Sequence, residues 1–129
     1  MVIFIPTRRL VEKIVMELRR MYPEDPIYPM KEYSDILYSI RYCMRRGRSR
    51  KEKIIWIAAC LLYYIVTGHP LVDGNKRLAV SITGLFLLKN GYTVDDKILY
   101  RLTISIACGK ETLDGAYKWL SKSVKVRRK

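Results

Sequence analysis

The sequence predicts an all-α fold of about six helices and a short flap, in one domain that spans residues 1–129. Helical spacing of apolar residues in the first part of the chain is the first reason. The second is a pair of long apolar runs, residues 54–66 and 78–88, that suit two central helices packed on most sides. Half of the 129 residues are apolar, so the chain can bury a sizeable core.

The first helix and the flap follow from local signals. Apolar side chains recur at helical spacing from Leu10 to Met21, with Thr7 in place to cap the N-terminus, and the helix must stop before Pro23. Further prolines at positions 26 and 29 remove backbone donors and favour extended geometry. We therefore expect an exposed, strand-like flap at about residues 26–33.

The other helices are placed by apolar periodicity and by glycine or capping residues at their ends. The second is expected from Lys31 or Ser34 to Gly47, because glycine suits the left-handed turn after a helix. The predicted spans of the remaining four are 49–67, from Asn75 to the KNG at 89–91, 96–107 and 112–122, the last with Thr112 as its cap.

Composition and hydropathy indicate where in the cell the protein acts and what kind of organism it comes from. Neither apolar run reaches the roughly 18 residues that a membrane-spanning helix needs, and the apolar stretch before Pro6 is too short for a secretory signal. We therefore expect a cytoplasmic protein that does not act on a membrane. The absence of glutamine and the presence of only two asparagines predict a thermophilic source.

A net charge of +13 suits nucleic acid, acidic proteins or anionic surfaces as partners. Much of the excess lies in residues 41–53 and 124–129, where no aromatic side chains are spaced to stack on bases. Solvated surface is the simpler interpretation of both segments, so nucleic acid is a less favoured partner. The cysteines, Cys43, Cys60 and Cys108, are far apart in apolar surroundings and are expected to be reduced core thiols.

Chemistry is concentrated in the loop between the two central helices, which reads GHPLVDGNKRLAV from residue 68 to 80. A helix that begins at Asn75 directs unpaired backbone N–H groups and its positive dipole end into this loop, which favours a phosphate group. Gly74 lets the backbone approach an anion closely, and Lys76 and Arg77 add two positive charges.

Asp73 would repel a phosphate unless a cation lay between them, and Mg²⁺ is commonly held by one or two carboxylates and by phosphate oxygens. His69 supplies an imidazole, a group that titrates near neutral pH and can take a proton from a hydroxyl. Together these residues suit transfer of a phosphorus-containing group to an alcohol. Taken singly, His69 could serve only as a structural hydrogen-bonding group and Asp73 only as a helix cap.

The segment HPLVDGNKRLAV resembles the signature of Fic/Doc proteins, which is His-x-Phe-x-Asp/Glu-Gly/Ala-Asn-Gly/Lys-Arg between two central helices. GLFLLKNGY (84–92) and ISIACGKET (104–112) are similar to segments of the Doc (death-on-curing) branch, so the likeness covers about the C-terminal two-thirds of the chain. The resemblance implies the Fic fold.

The resemblance also implies a role for each residue of the loop. His69 would be the base that activates the acceptor hydroxyl, and Asp73 would bind Mg²⁺. Asn75 would orient the nucleotide phosphates, and Gly74 would belong to the anion hole. Lys76 and Arg77 would hold phosphate oxygens. By its position, the flap would pair with a target segment as an added strand.

Two departures favour the Doc branch. Lys76 stands where adenylyl-transferring relatives usually have glycine, and Val80 stands where they have a second arginine. A third departure, Leu71 in place of phenylalanine, should still anchor the loop in the core. The chain shows no Ser/Thr-x-x-x-Glu-Gly/Asn inhibitory motif, so restraint is expected from another chain.

The resemblance therefore implies a toxin that uses ATP and Mg²⁺ to phosphorylate a Ser or Thr hydroxyl of a protein. Relatives suggest a translation elongation factor as the target and an antitoxin as the partner chain. Transfer of AMP by the same site is the nearest alternative. The other is a non-catalytic Fic-fold module that binds nucleic acid or a protein through its basic surface.

Overall fold

The computed structural model describes residues 2–30 and 34–127, and these form a mostly helical fold, as the sequence predicts. The predicted start of the second helix at Lys31 and the end of the flap at residues 31–33 lie outside the described residues. In chain order the elements are α1 (Arg8–Met21), α2 (Ser34–Cys43), α3 (Arg50–Gly68), α4 (Asn75–Lys89), β1 (Tyr92–Thr93), α5 (Asp96–Ala107), α6 (Leu113–Ser123) and β2 (Lys125–Val126).

Side-chain caps fix where most of these helices begin. The Thr7 hydroxyl accepts a hydrogen bond from the backbone N–H of Leu10 at 3.2 Å, and Ser49, Asp95 and Thr112 act in the same way at the starts of α3, α5 and α6. The helix α4 is different, because its N-cap is Gly74 and no side chain caps it. Its first N–H groups are therefore left without a capping side chain, next to the polar loop.

The core is built around α3, which contacts α2, α4, α5 and α6, while α1 packs on α4. Ile54, Ile57 and Leu61 of α3 are fully buried, and so are Ile82 and Phe86 of α4. Burial on nearly every face explains why both helices are apolar throughout. This packing fixes the end of α3 and the start of α4, and so positions the loop between them. No helix in the described part of the chain is both long enough and apolar enough to cross a bilayer.

The tail predicted as solvated is exposed at residues 125–127, and it is also ordered, because β2 pairs antiparallel with β1, with Tyr92 opposite Val126. A two-residue ribbon gives too short a pattern to be seen in the sequence. The helix α2 ends at Cys43 and not at Gly47, because a turn bonds the Arg46 N–H to the Cys43 carbonyl.

The prediction of three reduced core thiols was wrong. Cys43 and Cys60 are buried and form a disulfide between α2 and α3, with Cα atoms 6.6 Å apart, whereas Cys108 is free and exposed. That Cα separation lies within the range that a disulfide spans. Apolar neighbours in the sequence indicate burial, but they carry no information on which cysteines meet in space.

Candidate active site

The end of α3, the loop and the start of α4 enclose a cavity of about 450 Å³ that α5 closes on the far side. It contains every residue that the sequence analysis singled out for chemistry: His69, Asp73, Gly74, Asn75, Lys76 and Arg77. Val66, Val72, Tyr100 and Ala107 complete its walls. A volume of this size is within the range of small-molecule sites.

His69 follows the last residue of α3, is exposed and faces the cavity. Its backbone lies in the left-handed region, at φ 48°, and its N–H donates to the Ile65 carbonyl at 3.2 Å. Among the described residues it is the only non-glycine with a positive φ. Glycine would take this conformation more readily, so a histidine here carries backbone strain. A residue with only a structural role at this turn could avoid that strain by being glycine.

Asp73 and Gly74 form the turn into α4. Gly74 adopts φ +87°, and a Cβ at this position would lie 3.3 Å from Cγ1 of the buried Ile27. Both observations require glycine here. The Gly74 N–H donates to Oδ1 of Asp73 at 2.7 Å, and the Asp73 residue is exposed.

The first turn of α4 supplies the positive charge of the cavity. Its N–H groups have no side-chain cap, and the exposed Lys76 lies on the same turn. A helix N-terminus and an ammonium group both favour an anion at this point. The cavity therefore has one positively charged wall, and Asp73 is the one carboxylate among the described residues that line it.

Asn75 lines the cavity, but its side chain is used to hold the loop. Its Nδ2 donates to the Leu71 carbonyl at 2.9 Å, and its Oδ1 accepts from the Leu71 N–H at 2.9 Å. The Leu71 side chain is fully buried, as expected for an anchor into the core. Asn75 and Leu71 thus fasten the loop to the first turn of α4 by two hydrogen bonds.

Arg77 is paired with a segment that no sequence pattern places near the loop. Its Nη1 donates to the Asp25 carboxylate, and its guanidinium lies 3.7 Å from the centre of the Tyr22 ring. The hydrogen bond to Asp25 raises the pKa of Arg77 above its ordinary value, and the Asp25 charge adds to that effect. An anion in the cavity would share this guanidinium with Asp25, using the N–H groups that Asp25 leaves free.

The described part of the flap pairs with the loop itself. The Met30 N–H donates to the Pro70 carbonyl at 2.7 Å, and the Val72 N–H donates to the Tyr28 carbonyl at 2.8 Å. Pro29 and Leu71 form the antiparallel bridge between these two bonds. The flap therefore buttresses the loop, and the groups used in this pairing are not available to a target segment at that edge.

The sequence analysis did not single out Tyr22 and Asp25, which contact Arg77, or the wall residues Val66, Val72, Tyr100 and Ala107. Asp25 is 52 positions from Arg77, and no spacing rule links residues that distant. In the sequence, Tyr100 offers only a weak signal, as a large aromatic residue in a predicted helix. In the structure, this residue is 47% exposed. An exposed aromatic ring beside a polar cavity is a frequent ligand contact.

The side chains that could ligate a metal determine which metal ion suits the cavity. In the described ranges, no cluster of three or more histidine, cysteine, aspartate or glutamate side chains is arranged to hold a metal ion. A protein-only cage is therefore not present in that part of the chain. Asp73 alone fits Mg²⁺, which accepts one carboxylate and takes its other ligands from phosphate oxygens and water.

Comparison with known proteins defines the class to which this fold and loop belong. The model of the Fic/DOC family matches residues 8–87, which is more than half of the 129-residue chain. The protein belongs to the Fic/DOC family, whose members generally transfer nucleotide-derived groups to proteins. The match includes α1, which the sequence resemblance did not, and it ends before the segment at 104–112 that the resemblance included. No curated protein sequence matches the chain.

Proposed function

We propose that this protein is a Doc-like toxin that transfers the terminal phosphate of ATP to a Ser or Thr hydroxyl of a target protein. The observation that carries the proposal is the composition of one cavity. An imidazole, one carboxylate, an uncapped helix N-terminus and two cationic side chains line the same 450 Å³. Phosphoryl transfer needs a positioned acceptor and stabilisation of the negative charge on the phosphate, and these groups supply both.

Each group has a distinct part in the transfer. The acceptor oxygen attacks the terminal phosphorus, the bond from that phosphorus to the bridging oxygen of ATP breaks, and ADP leaves. His69 takes the proton that the hydroxyl loses. Lys76 and the N–H groups of the first turn of α4 hold the phosphate oxygens, and Arg77 adds a charge that Asp25 keeps in place. Asp73 would hold Mg²⁺, which neutralises phosphate charge when bound.

The choice of a kinase over an adenylyltransferase rests on Lys76 and Val80. The side chain of Lys76 adds bulk and charge beside the phosphates, where adenylyl-transferring relatives usually have glycine. Val80 is half-buried and offers no charge where those relatives have a second arginine. Both changes favour a nucleotide whose terminal phosphate faces His69.

As a Doc-like toxin, the protein would be restrained by an antitoxin chain. Its net charge of +13 would favour an acidic partner. An open reading frame for a small antitoxin-like protein immediately upstream of its gene would support this part of the proposal. A translation elongation factor is the proposed class of target, by likeness to the Doc branch alone.

Labelled ATP tests which group is transferred. The protein is incubated with cell extract and with ATP labelled at either the α or the γ position, and protein-bound label is measured. We expect label from γ-labelled ATP alone, because the terminal phosphate is the group presented to the acceptor. Label from the α position would instead assign AMP transfer. No label from either position, with a folded protein, would favour a non-catalytic binding module.

Removing the charge of Asp73 should uncouple ATP binding from Mg²⁺. Asp73→Asn keeps an oxygen for the Gly74 N–H and loses the negative charge. We expect calorimetric ATP affinity with Mg²⁺ to fall about tenfold, and affinity without Mg²⁺ to hold or rise, since repulsion of the phosphates is relieved. Glu12→Gln, at an exposed site on α1, is the matched control. An unchanged response to Mg²⁺ would contradict the assignment.

A further inference from the structure

A second and larger cavity, of about 720 Å³, runs along the groove between α4 and α5 and meets the candidate active site at Tyr100. Its α4 wall is mostly apolar, and α5 contributes the charged side chains of its lining. Val80, Ser81, Gly84, Leu85 and Tyr100 are among its lining residues. Since Tyr100 lines both cavities, the two are adjacent, with Tyr100 at their junction.

Gly84, in the α4 wall of this groove, also points to a bound ligand. It lies in the interior of α4, where glycine weakens a helix relative to alanine. The fold does not require glycine here, because a Cβ at this position would meet only Cδ2 of Leu99, at an ordinary contact distance of 4.0 Å. Glycine therefore costs the helix stability at this position, and no neighbouring side chain fills the space that it leaves. That space is open to a bound molecule.

The helix α4 leads from the anion-binding wall to this groove. Lys76 is in its first turn and Gly84 is eight residues further on, about 12 Å along the helix axis at 1.5 Å per residue. A ligand with its phosphates at the helix N-terminus would therefore place its uncharged end over Val80, Ser81 and Gly84. A mostly apolar α4 wall, an aromatic ring and a few polar side chains suit a planar heterocycle and its sugar.

We propose that the groove between α4 and α5 binds the nucleoside part of ATP, and that Tyr100 contacts the base and sets its position. This inference rests on the proposed function, since it places the rest of the same nucleotide. The Tyr100 ring is 47% exposed, so a face of it is open for stacking. Val80, which replaces a charged residue of adenylyl-transferring relatives, then lies beneath the nucleoside and not beneath a phosphate.

Binding of ATP is compared with binding of inorganic tripolyphosphate, which has the phosphates and lacks the nucleoside. Both are measured by calorimetry with Mg²⁺ on wild type, Tyr100→Ala and Ser81→Trp. Both variants alter exposed positions, so the fold should tolerate them. We expect each to weaken ATP about tenfold, the order of one lost stacking contact, and to leave tripolyphosphate within about twofold.

Gly84→Ala extends the test with a variant that strengthens the helix. It should raise the melting temperature and weaken ATP binding together, a combination that damage to the fold does not produce. If all three variants bind ATP as wild type does, the groove does not hold the nucleoside and this inference is overturned. A wild-type protein that binds neither ATP nor tripolyphosphate would instead overturn the proposed function, so the two failures are distinguishable.

Discussion

Replacing His69 with glycine is expected to slow group transfer by at least about 10²-fold and to leave the protein at least as stable as wild type. His69 has φ 48°, a conformation that costs a residue with a side chain about 1 kcal/mol and costs glycine little. The imidazole lies in the cavity and is exposed. Removing it should therefore relieve backbone strain and remove the base at the same time.

His69→Ala sharpens the comparison, because alanine removes the imidazole and keeps the strain. Transfer should fall by about 10²–10⁴-fold in both variants, the usual loss when a general base is removed, and ATP affinity should stay within a few-fold of wild type. Stability should rank glycine at or above histidine, and histidine above alanine. Rates come from γ-labelled ATP and stabilities from thermal unfolding.

Thr67→Ala is the matched control for this pair. Thr67 is exposed near the end of α3, where its hydroxyl bonds the Tyr63 carbonyl, and it does not line the cavity. It should keep activity. If activity followed stability across these variants, with the glycine variant both stable and active, His69 would be a structural residue and the proposed mechanism would be wrong.

Local chemistry explains why the sequence predicted the helices well. A helix start depends on a side chain and N–H groups two or three residues away, so Thr7, Ser49 and Thr112 could be recognised without knowledge of the fold. The span of α5 agrees with the prediction at both ends, 96 and 107. The candidate site was predictable for the same reason, since its main groups fall within nine consecutive positions.

What the sequence could not show are the contacts between distant segments. The disulfide of Cys43 and Cys60 and the pairing of Arg77 with Asp25 depend on how the helices pack. Part of the basic segment is likewise structural, because Arg46 lies 3.8 Å from the Trp56 ring centre and pairs with Asp114 at 3.1 Å. A charge that packs on a ring and pairs with a carboxylate contributes less to a free basic surface.

Asn75 is the residue whose assignment changes most between sequence and structure. The family resemblance gives its amide to the phosphates, whereas the structure uses that amide to bond both backbone groups of Leu71. The loop then depends on Asn75 for its shape, and in the proposed function phosphate binding depends on the loop. Both roles predict weak nucleotide binding when Asn75 is replaced, so stability must be measured as well.

Asn75→Ala is expected to lower the free energy of unfolding by about 2 kcal/mol, because it leaves the N–H and carbonyl of Leu71 without their partner. ATP binding should be lost with it. Asn75→Asp should fall between wild type and alanine in stability, since a carboxylate still accepts from the Leu71 N–H but donates nothing to its carbonyl. Denaturant unfolding and calorimetry measure the two quantities.

Asn90 offers the control at the opposite end of α4. It is buried, and its amide bonds the backbone of Phe4 and of Phe86, so Asn90→Ala should destabilise the fold by a comparable amount. It lies outside the cavity, so the folded variant should bind ATP as wild type does. Asn75→Ala could instead keep its stability and lose ATP affinity. The amide would then contact the phosphates directly, because a contact made only with bound ATP adds nothing to the stability of the free protein.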